Sequence, residues 1–234
     1  MQKLEILSVN ISDKKGIVKT PVNKITINET GIVGDAHAGI WHRQISLLAQ
    51  ESIDRAEKKA NNTFPPGTFA ENLTTRGIEL AKTSILDRFV NDEMEMEVTQ
   101  IGKKCHSQCA IGQQIGDCIM PAEGIFCRTI KGGEIKAGTT FRYVPKIFKV
   151  KIIVLSDRAS AGVYEDKSGK LIDKLCSEWF QSKNMKVDIE TEIIPDEKDQ
   201  LVEVITHSFK NKTDLIFTTG STGIGERDIA PETI

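Results

Sequence analysis

The sequence predicts a mixed β and α/β fold, in which an N-terminal β-barrel is followed by an incomplete doubly wound α/β domain. At 234 residues the chain is long enough for two ordinary domains. Over residues 1–145, short apolar runs alternate with glycine turns and a single long helical pattern, which is typical of a closed or bent sheet. Over residues 148–234, strand and helix patterns alternate, which indicates parallel strands with crossover helices. We therefore expect the domain boundary near residues 138–148.

The elements of the N-terminal domain follow from short strand patterns and one amphipathic helix. Strands are predicted over residues 4–9, 22–27, 94–101 and 124–130. A helix is predicted over residues 46–60, because Leu47, Leu48, Ile53 and Ala56 fall roughly on one stripe. Its acidic residues lie early and its lysines late, as the helix dipole favours.

The elements of the C-terminal domain alternate between strand and helix. The apolar run from Phe148 and the small-residue loop after it indicate a buried parallel strand that leads into a helix. Further strands are predicted over residues 187–194 and 214–219, with helices over residues 166–180 and 198–210. Pro231 and Glu232 then indicate the start of another helix. Because a three-stranded parallel sheet leaves an edge and one face poorly covered, we expect this domain to be truncated or completed by something else.

Composition and charge narrow the class of protein. The chain is 39% hydrophobic and 27% charged, as in soluble globular proteins, and its formal net charge of -2 gives no reason to expect a nucleic-acid or membrane partner. No apolar stretch approaches the roughly 18 residues that span a bilayer. We therefore expect a cytoplasmic protein, whose five cysteines are thiols or ligands rather than a disulfide framework.

Three motifs in the N-terminal domain combine polar side chains with glycine. The string GDAHAGIWHR precedes the helix, PPGTFAENLT follows it, and GKKCHSQCAI contains two cysteines and a histidine. Imidazole and guanidinium groups beside a helix N-terminus form an oxyanion site, because donors and dipole point the same way. A lone Asp or Arg in such a place is more often a turn or surface residue, but three of the four histidines fall within these motifs.

These motifs resemble the MOSC domain, the module named after the C-terminal part of molybdenum cofactor sulfurase. The matching patterns are G-D-x-H-x-G-x-x-H-R, P-G-x-F-x-E-N-L-T and a cysteine after the run MEMEVTQIG, and the resemblance covers about the first 145 residues. It implies a β-barrel whose key cysteine, Cys105, carries sulfur or ligates molybdenum, and the family is also associated with pyridoxal phosphate. Ala70 stands where the family usually has glycine. The resemblance implies that the cofactor-binding residues here are Asp35, His37, His42, Arg43, Glu71 and Asn72.

The residues around Cys105 fit a reactive thiolate. Lys103, Lys104 and His106 place cationic or proton-accepting groups beside it, which lowers the pKa of a thiol. A soft thiolate suits molybdenum binding and sulfur transfer.

Two other interpretations of the cysteine string remain open. A structural zinc site needs four ligands, for which Cys105, His106 and Cys109 offer three, and Cys118 or Cys127 would be the fourth. Adjacent Cys and His side chains point to opposite sides of a strand, however, which makes joint ligation awkward. The third interpretation is a buried structural thiol, and Cys118 and Cys127 are expected to be core cysteines.

A second group of motifs lies in the C-terminal domain. In FTTGSTGIGERDIAPET, glycines directly follow a strand, so backbone amides can approach a phosphate closely. The string has neither the G-K-[ST] of a P-loop nor a strict G-x-G-x-x-G. Two ordinary interpretations compete here, since Asp228 also fits a helix cap and Asp196 a turn after Pro195.

Together with LSDRASAGVYEDKSG and IIPDEKD, this stretch resembles the front part of the molybdopterin-binding domain of the Mog and MoaB type, from about residue 148 onward. The resemblance implies binding of molybdopterin and, in the adenylyltransferases, its coupling to ATP with Mg²⁺. The catalytic acids would be Asp196 and Asp228, with Asp228 holding the magnesium. Ser221 replaces a second glycine of the family pattern. The implied cofactor-binding residues are Ser156, Asp157, Arg158, Gly220, Ser221, Thr222, Gly223 and Gly225.

The two groups of motifs point to one pathway. The leading hypothesis is a protein of molybdenum cofactor biosynthesis or maturation, whose partners are molybdopterin or the assembled cofactor, other assembly proteins and a second copy of the chain. Whether it is an enzyme stays open. The alternatives are a non-catalytic carrier of molybdopterin or molybdenum, and a structural zinc protein.

Overall fold

The computed structural model describes residues 2–104 and 118–234. The chain forms two compact units, Met1–Lys146 and Ile147–Ile234. Within the described ranges, no helix is both long and apolar enough to cross a membrane.

The N-terminal unit is a closed β-barrel, which confirms the predicted fold class. The described residues form a sheet in the order β11-β7-β8-β9-β5-β6-β1, and β1 pairs with β11 to close seven strands into a barrel. The strand β2 extends from β1, while β3, β4 and β10 form a separate small sheet. The strands are β1 Lys3–Ile11, β2 Thr20–Val22, β3 Lys24–Asn28, β4 Gly31–Ile32, β5 Ile45–Ala49, β6 Leu73–Arg76, β7 Arg88–Val90, β8 Glu95–Ile101, β9 Ile125–Lys131, β10 Gly133–Lys136 and β11 Thr140–Val144.

Side chains alternate along the strands between two faces. Those on the inner face fill the barrel, and some on the outer face pack against a helix. Leu4, Ile6, Leu47 and Phe141 belong to the interior cluster. A second cluster lies beneath helix α1 (Gln50–Ala60) and the single turn α2 (Met120–Glu123), and it contains Leu48, Ile53, Phe64, Phe69, Met120 and Phe126. A 3₁₀ turn, Leu80–Lys82, completes the helical elements described in this unit.

The helix prediction was wrong in its first turn. Residues 46–49 belong to β5, which pairs with β6 and β9, and α1 begins only at Gln50. All five residues of β5 are buried, because the barrel core covers one side of the strand and the cluster beneath α1 covers the other. A strand that is apolar on both faces cannot be distinguished by periodicity from the start of a helix.

The C-terminal unit is a doubly wound α/β structure, as predicted. Its three parallel strands lie in the order β13-β12-β14. Val150, Ile152 and Val154 pack with Phe180 on one face of the sheet, while Ile153 and Leu155 form a cluster on the other. The elements are β12 Ile147–Leu155, α3 Asp157–Ser160, α4 Ser168–Ser182, β13 Lys186–Ile194, α5 Lys198–Lys210, β14 Leu215–Thr219 and α6 Ala230–Thr233.

The strand order predicts a ligand position, called the crevice below, at the carboxyl edge of this sheet. The chain passes from β12 to β13 on one side and then returns to β14 on the other, so the order reverses between β12 and β14. Ligands of doubly wound sheets bind outside the carboxyl ends of the strands at such a point. Ser156 and Gly220, which directly follow these two strands, flank that position.

Candidate functional site

A buried ion pair lies at the centre of the first motif. Lys19 Nζ lies 2.5 Å from Asp35 Oδ2, and both side chains are fully shielded from solvent. The same carboxylate oxygen accepts hydrogen bonds from Asn72 Nδ2 at 3.1 Å and from the Ser12 amide at 3.1 Å. Burial lowers the pKa of Lys19, although Asp35 opposes that shift. Burial also acts to raise the pKa of Asp35, but hydrogen bonds from His37 and Lys19 hold it well below its usual range.

His37 is the member of this network that reaches solvent. Its amide donates to Asp35 Oδ1 at 2.9 Å, and its Nδ1 lies 3.3 Å from the same oxygen and 3.4 Å from Lys19 Nζ. Its side chain is 27% exposed. Asp35 and Lys19 therefore contact Nδ1 of the imidazole and fix the orientation of the ring, as an ion-paired carboxylate orients a functional histidine.

The second motif forms the loop that packs against Lys19 of this network. Glu71 is fully buried, and its carboxylate accepts hydrogen bonds from the amides of Gly67 at 2.6 Å and Phe69 at 3.1 Å. Burial raises the pKa of Glu71 in spite of these bonds. The bend at Gly67 brings the loop so close to Lys19 that a methyl group on the glycine would lie 2.1 Å from the Lys19 carbonyl oxygen. Glu71 thus shapes the loop that encloses Lys19.

Arg43 lies between two aromatic rings at the other side of the motif. Its guanidinium carbon is 5.0 Å from the centre of the Trp41 ring and 5.7 Å from that of Phe126. His42 is exposed, and its carbonyl accepts a hydrogen bond from Thr99 Oγ1. The structure thus brings Asp35, His37 and Asn72 together, whereas Arg43 and His42 are grouped around Trp41.

The predicted thiolate, Cys105, lies outside the described residues, as do His106 and Cys109. Cys127 is fully buried, and burial raises the pKa of its thiol, so it is a core cysteine as expected. Cys118 is half-buried and packs against the cluster beneath α1. In the part of the chain that the structure describes, no group of three or more His, Cys, Asp or Glu residues could hold a metal ion.

In the C-terminal unit, the loops that follow β12 and β13 are joined by two aspartates. The Asp157 amide donates to Asp196 Oδ2 at 3.1 Å, and the Asp196 amide donates to Asp157 Oδ1 at 3.1 Å. Ser156 caps the short helix α3 by accepting a hydrogen bond from the Ala159 amide at 3.2 Å. Ser156 Oγ also lies 3.0 Å from the hydroxyl of Tyr164. This pairing fixes the first loop at the crevice.

Arg227 connects the loop after β14 to the other two. Its guanidinium donates to both carboxylate oxygens of Asp157, at 2.7 and 2.9 Å, and to Glu197 Oε1 at 2.9 Å. Arg227 lowers the pKa of the Asp157 carboxyl. Arg158 points elsewhere, since its guanidinium carbon lies 5.3 Å from the centre of the Tyr164 ring.

The glycines of the third loop permit close backbone approach. Gly220 has a φ of +89°, and a methyl group there would lie 2.0 Å from the Leu155 carbonyl oxygen. Asp228 Oδ2 accepts a hydrogen bond from the Gly225 amide at 2.9 Å, and a methyl group on Gly223 would lie 2.7 Å from the same oxygen. Thr222 is exposed. Asp228 therefore closes the glycine turn from within, and one of its carboxylate oxygens is already engaged. The helix-cap interpretation of Asp228 was wrong, because α6 begins after Ile229 and no side chain caps it.

Ser221 stands where the family pattern has glycine, and its hydroxyl has a defined role. Its φ of +52° is in the left-handed region, which is uncommon for a residue with a side chain. The hydroxyl donates to the Arg227 carbonyl at 2.9 Å and accepts from the Ile229 amide at 2.9 Å. These bonds offset the backbone strain and hold the segment that carries Arg227 and Asp228.

We expect Ser221→Ala to lower the free energy of unfolding of the C-terminal unit by about 1 kcal/mol, because both hydrogen bonds are lost. Urea denaturation measures this change. Thr222→Ala, at the exposed neighbouring position, is the control and is expected to change it by less than about 0.5 kcal/mol. Equal effects of the two substitutions would contradict the role assigned to the hydroxyl.

Two family models match the chain. Residues 34–142 match the MOSC domain, and residues 151–234 match the family described as "Probable molybdopterin binding domain". The chain is a MOSC domain followed by a domain of the molybdopterin-binding family. The MOSC match includes Asp35, His37, Arg43, Asn72 and Cys105, and the second match includes all three loops of the crevice.

Curated relatives match the second domain. The molybdopterin adenylyltransferase of Pyrococcus furiosus is 38% identical over 90 residues, which is 38% of this chain and 50% of the relative. That of Helicobacter pylori strain J99 is 40% identical over 84 residues, which is 36% of this chain and 46% of the relative. The chain thus spans about half the length of these relatives.

A solved structure supports the fold of the MOSC domain. The YuaD protein of Bacillus subtilis superposes with a TM-score of 0.54 at 16% identity, over 62% of this chain and 97% of that protein. At this identity the likeness concerns the fold alone.

Two residues of the site were not identified from the sequence. Lys19 lies in the stretch GIVKTPV, where a single lysine follows two apolar residues, and only its burial against Asp35 reveals its role. Arg227 is part of the R-D-I-x-P-E pattern, but its partners, Asp157 and Glu197, are 70 and 30 residues away.

Proposed function

We propose that this chain is a molybdenum cofactor assembly protein. In this proposal the C-terminal domain binds molybdopterin, and the MOSC domain handles sulfur or molybdenum through the thiolate of Cys105. Two independent domain matches in one chain, both associated with the same cofactor, support the proposal. A covalent connection between the domains raises the effective concentration of one at the other, which favours transfer of an unstable intermediate.

The observation that carries the proposal is the convergence of three loops at the carboxyl edge of β12, β13 and β14. The loop after β14 has glycines at positions 220, 223 and 225, and a glycine-rich loop at this edge suits the phosphate of molybdopterin, although the Gly225 amide itself donates to Asp228. Asp157 and Asp196 hold the neighbouring loops in register with this one through Arg227. Such an arrangement can position a phosphate without contributing covalent chemistry.

Asp196 and Asp228, two carboxylates of the crevice, differ in how well they suit the magnesium that would accompany ATP. Asp196 Oδ1 is buried without a hydrogen-bond partner among the described residues, so it has capacity for a cation or its hydration water. Asp228 has one oxygen engaged by Gly225. We therefore assign the main magnesium ligand to Asp196 and a supporting role to Asp228. Magnesium would neutralise charge on the phosphoryl oxygens during adenylyl transfer.

Cofactor retention tests the proposal directly. The protein is incubated with molybdopterin or with the assembled cofactor and desalted, and the retained pterin and molybdenum are measured. We expect wild type to retain both pterin and molybdenum, and Cys105→Ser to lose molybdenum or sulfur while keeping pterin. In a separate activity assay, we expect Asp196→Asn to lose adenylyl transfer. Equal and negligible retention by wild type and Cys105→Ser would refute the proposal.

A non-catalytic carrier is the second candidate, because Asp228, one of the two predicted catalytic acids, already has one carboxylate oxygen engaged by the Gly225 amide. An assay with ATP and Mg²⁺ separates the two, since a carrier binds pterin without releasing pyrophosphate. Metal analysis tests the zinc interpretation: stoichiometric zinc that is lost in Cys109→Ala would favour a structural zinc site over the proposed thiolate.

A further inference from the structure

Helix α4 carries a row of large apolar side chains on its outer surface. Leu171, Leu175 and Trp179 follow one another at intervals of four residues, so they lie along one side of the helix. Their side chains are 56%, 54% and 52% exposed. The ring of Trp179 lies edge-on against that of the buried Phe180, with centroids 5.0 Å apart. The row is therefore an ordered apolar surface that stays half exposed in the folded unit.

The neighbouring part of the sheet extends this surface. Helix α4 packs over β12 and β13, whereas β14 lies on the other side of β12. By register, Leu215 and Phe217 of β14 stand beside Val150 and Ile152, and they point to the face of the sheet that α4 covers. Both are exposed. These two residues and the row on α4 are called the α4 patch below, and an exposed apolar patch of this kind marks an interaction site.

The row on α4 is symmetric about its middle residue. The helix spans Ser168–Ser182, so Leu175 is its midpoint, and Leu171 and Trp179 lie about one turn before and after it. When a second copy of the helix packs antiparallel across a two-fold axis at Leu175, the two Leu175 side chains meet. Leu171 of each copy then meets Trp179 of the other. A two-fold interface requires a surface that is complementary to itself, and this row has that property.

The charges beside the row are complementary in the same arrangement. Lys174 and Glu178 lie on the same side of the row, with Nζ and Oε1 3.9 Å apart, and both are largely exposed. Along the helix, Lys174 lies about 1.5 Å before Leu175 and Glu178 about 4.5 Å after it. The two-fold rotation therefore brings Glu178 of the second copy to about 3 Å from Lys174 along the helix direction. Each copy presents a cation where the other presents an anion, and symmetry repeats the contact.

We propose that the α4 patch is a self-association surface, through which two copies of this chain pair about a two-fold axis with their α4 helices antiparallel. A second copy is the occupant that suits the patch, because its apolar row and its flanking charges are both complementary to themselves. The five patch residues are far fewer than the roughly 20–30 residues a side of a standard interface, so we expect reversible pairing with a micromolar dissociation constant. No cofactor takes part in the contact, so the inference does not depend on the proposed function.

Sedimentation equilibrium of the full chain, without cofactor, tests this surface. We expect wild type to be in equilibrium between monomer and dimer. Leu175→Glu places two like charges at the two-fold axis and is expected to weaken pairing at least about tenfold. Val202→Glu, at an exposed aliphatic residue of α5, is the matched control, and pairing should stay within about twofold of wild type.

Exchange of the flanking charges tests the antiparallel arrangement itself. Lys174→Glu sets acids opposite one another in the two copies, and we expect it to weaken pairing about fivefold. Lys174→Glu combined with Glu178→Lys exchanges the two charges, and it should restore pairing to within about twofold of wild type. Both positions are largely exposed, so these variants are expected to unfold at the same temperature as wild type, which circular dichroism measures.

Four results would overturn the inference. Wild type stays monomeric up to about 200 μM, or it associates beyond two copies, which a two-fold interface does not allow. Leu175→Glu pairs as tightly as Val202→Glu, which would place the contact elsewhere on the chain. The combined charge exchange pairs no better than Lys174→Glu alone, which would exclude the antiparallel arrangement. Molybdopterin retention is measured separately, so a failure of the proposed function leaves each of these outcomes unchanged.

Discussion

Asp35→Ala is expected to lower the free energy of unfolding of the N-terminal unit by about 3–5 kcal/mol, because it leaves the ammonium of Lys19 buried without its counter-ion. Both side chains of this pair are fully shielded, so water cannot replace the lost carboxylate. Asn72 and the Ser12 amide also lose their acceptor. In a Trp179→Phe background, the fluorescence of Trp41 follows unfolding of this unit alone, since the chain has two tryptophans.

The control for this prediction is the exposed pair between Lys24 and Glu134. Their charged atoms lie 2.9 Å apart, but the side chains are 61% and 57% exposed, so Glu134→Ala is expected to cost less than about 1 kcal/mol. Replacing both buried partners, as in Lys19→Met with Asp35→Leu, should recover part of the loss. A cost for Asp35→Ala as small as that for Glu134→Ala would show that the buried pair does not stabilise the barrel.

Gly220→Ala is expected to abolish molybdopterin retention and to destabilise the C-terminal unit by at least about 2 kcal/mol. The added methyl group meets the Leu155 carbonyl oxygen, which belongs to the central strand β12 and cannot move without disrupting the sheet. The positive φ adds the usual penalty for a side chain in the left-handed region. In a Trp41→Phe background, the fluorescence of Trp179 follows unfolding of this unit.

Gly162→Ala, in the same unit, separates the cost of a side chain at positive φ from the cost of the clash with the Leu155 carbonyl oxygen. Gly162 has a φ of +72°, but a methyl group there has nothing within 4 Å. It is therefore expected to cost only about 1 kcal/mol for the backbone conformation, and retention should be unaffected. If Gly220→Ala and Gly162→Ala have equal effects, close approach of the loop to β12 is not what Gly220 provides.

Local patterns in the sequence predict much of this structure. The helix predicted over residues 198–210 coincides with α5, and the strand predicted over residues 187–194 coincides with β13 to within one residue. Periodicity was insufficient at β5, where Leu47 and Leu48 both suit an amphipathic helix. Only pairing with β6 and β9 makes residues 46–49 a strand, and such pairing depends on residues far away in the chain.

In the candidate sites too, some features are local in the sequence and others depend on tertiary contacts. Glycines after a strand indicate a phosphate loop from the sequence alone, because their conformational freedom is a local property. The sequence did not indicate that Lys19 would neutralise Asp35, or that Arg227 would join Asp157 to Glu197. Each of these contacts depends on how distant segments are brought together when the domains fold.

The sequence by itself determined that this chain combines a MOSC barrel with an α/β domain of the molybdopterin-binding family, because motifs and periodicities are local and survive without a fold. Tertiary structure decided which charged groups are buried, which remain available to a ligand and which glycines are indispensable. Those properties depend on exclusion of water and on atomic separations between distant residues, as in the contact of Lys19 with Asp35 and the approach of Gly220 to Leu155.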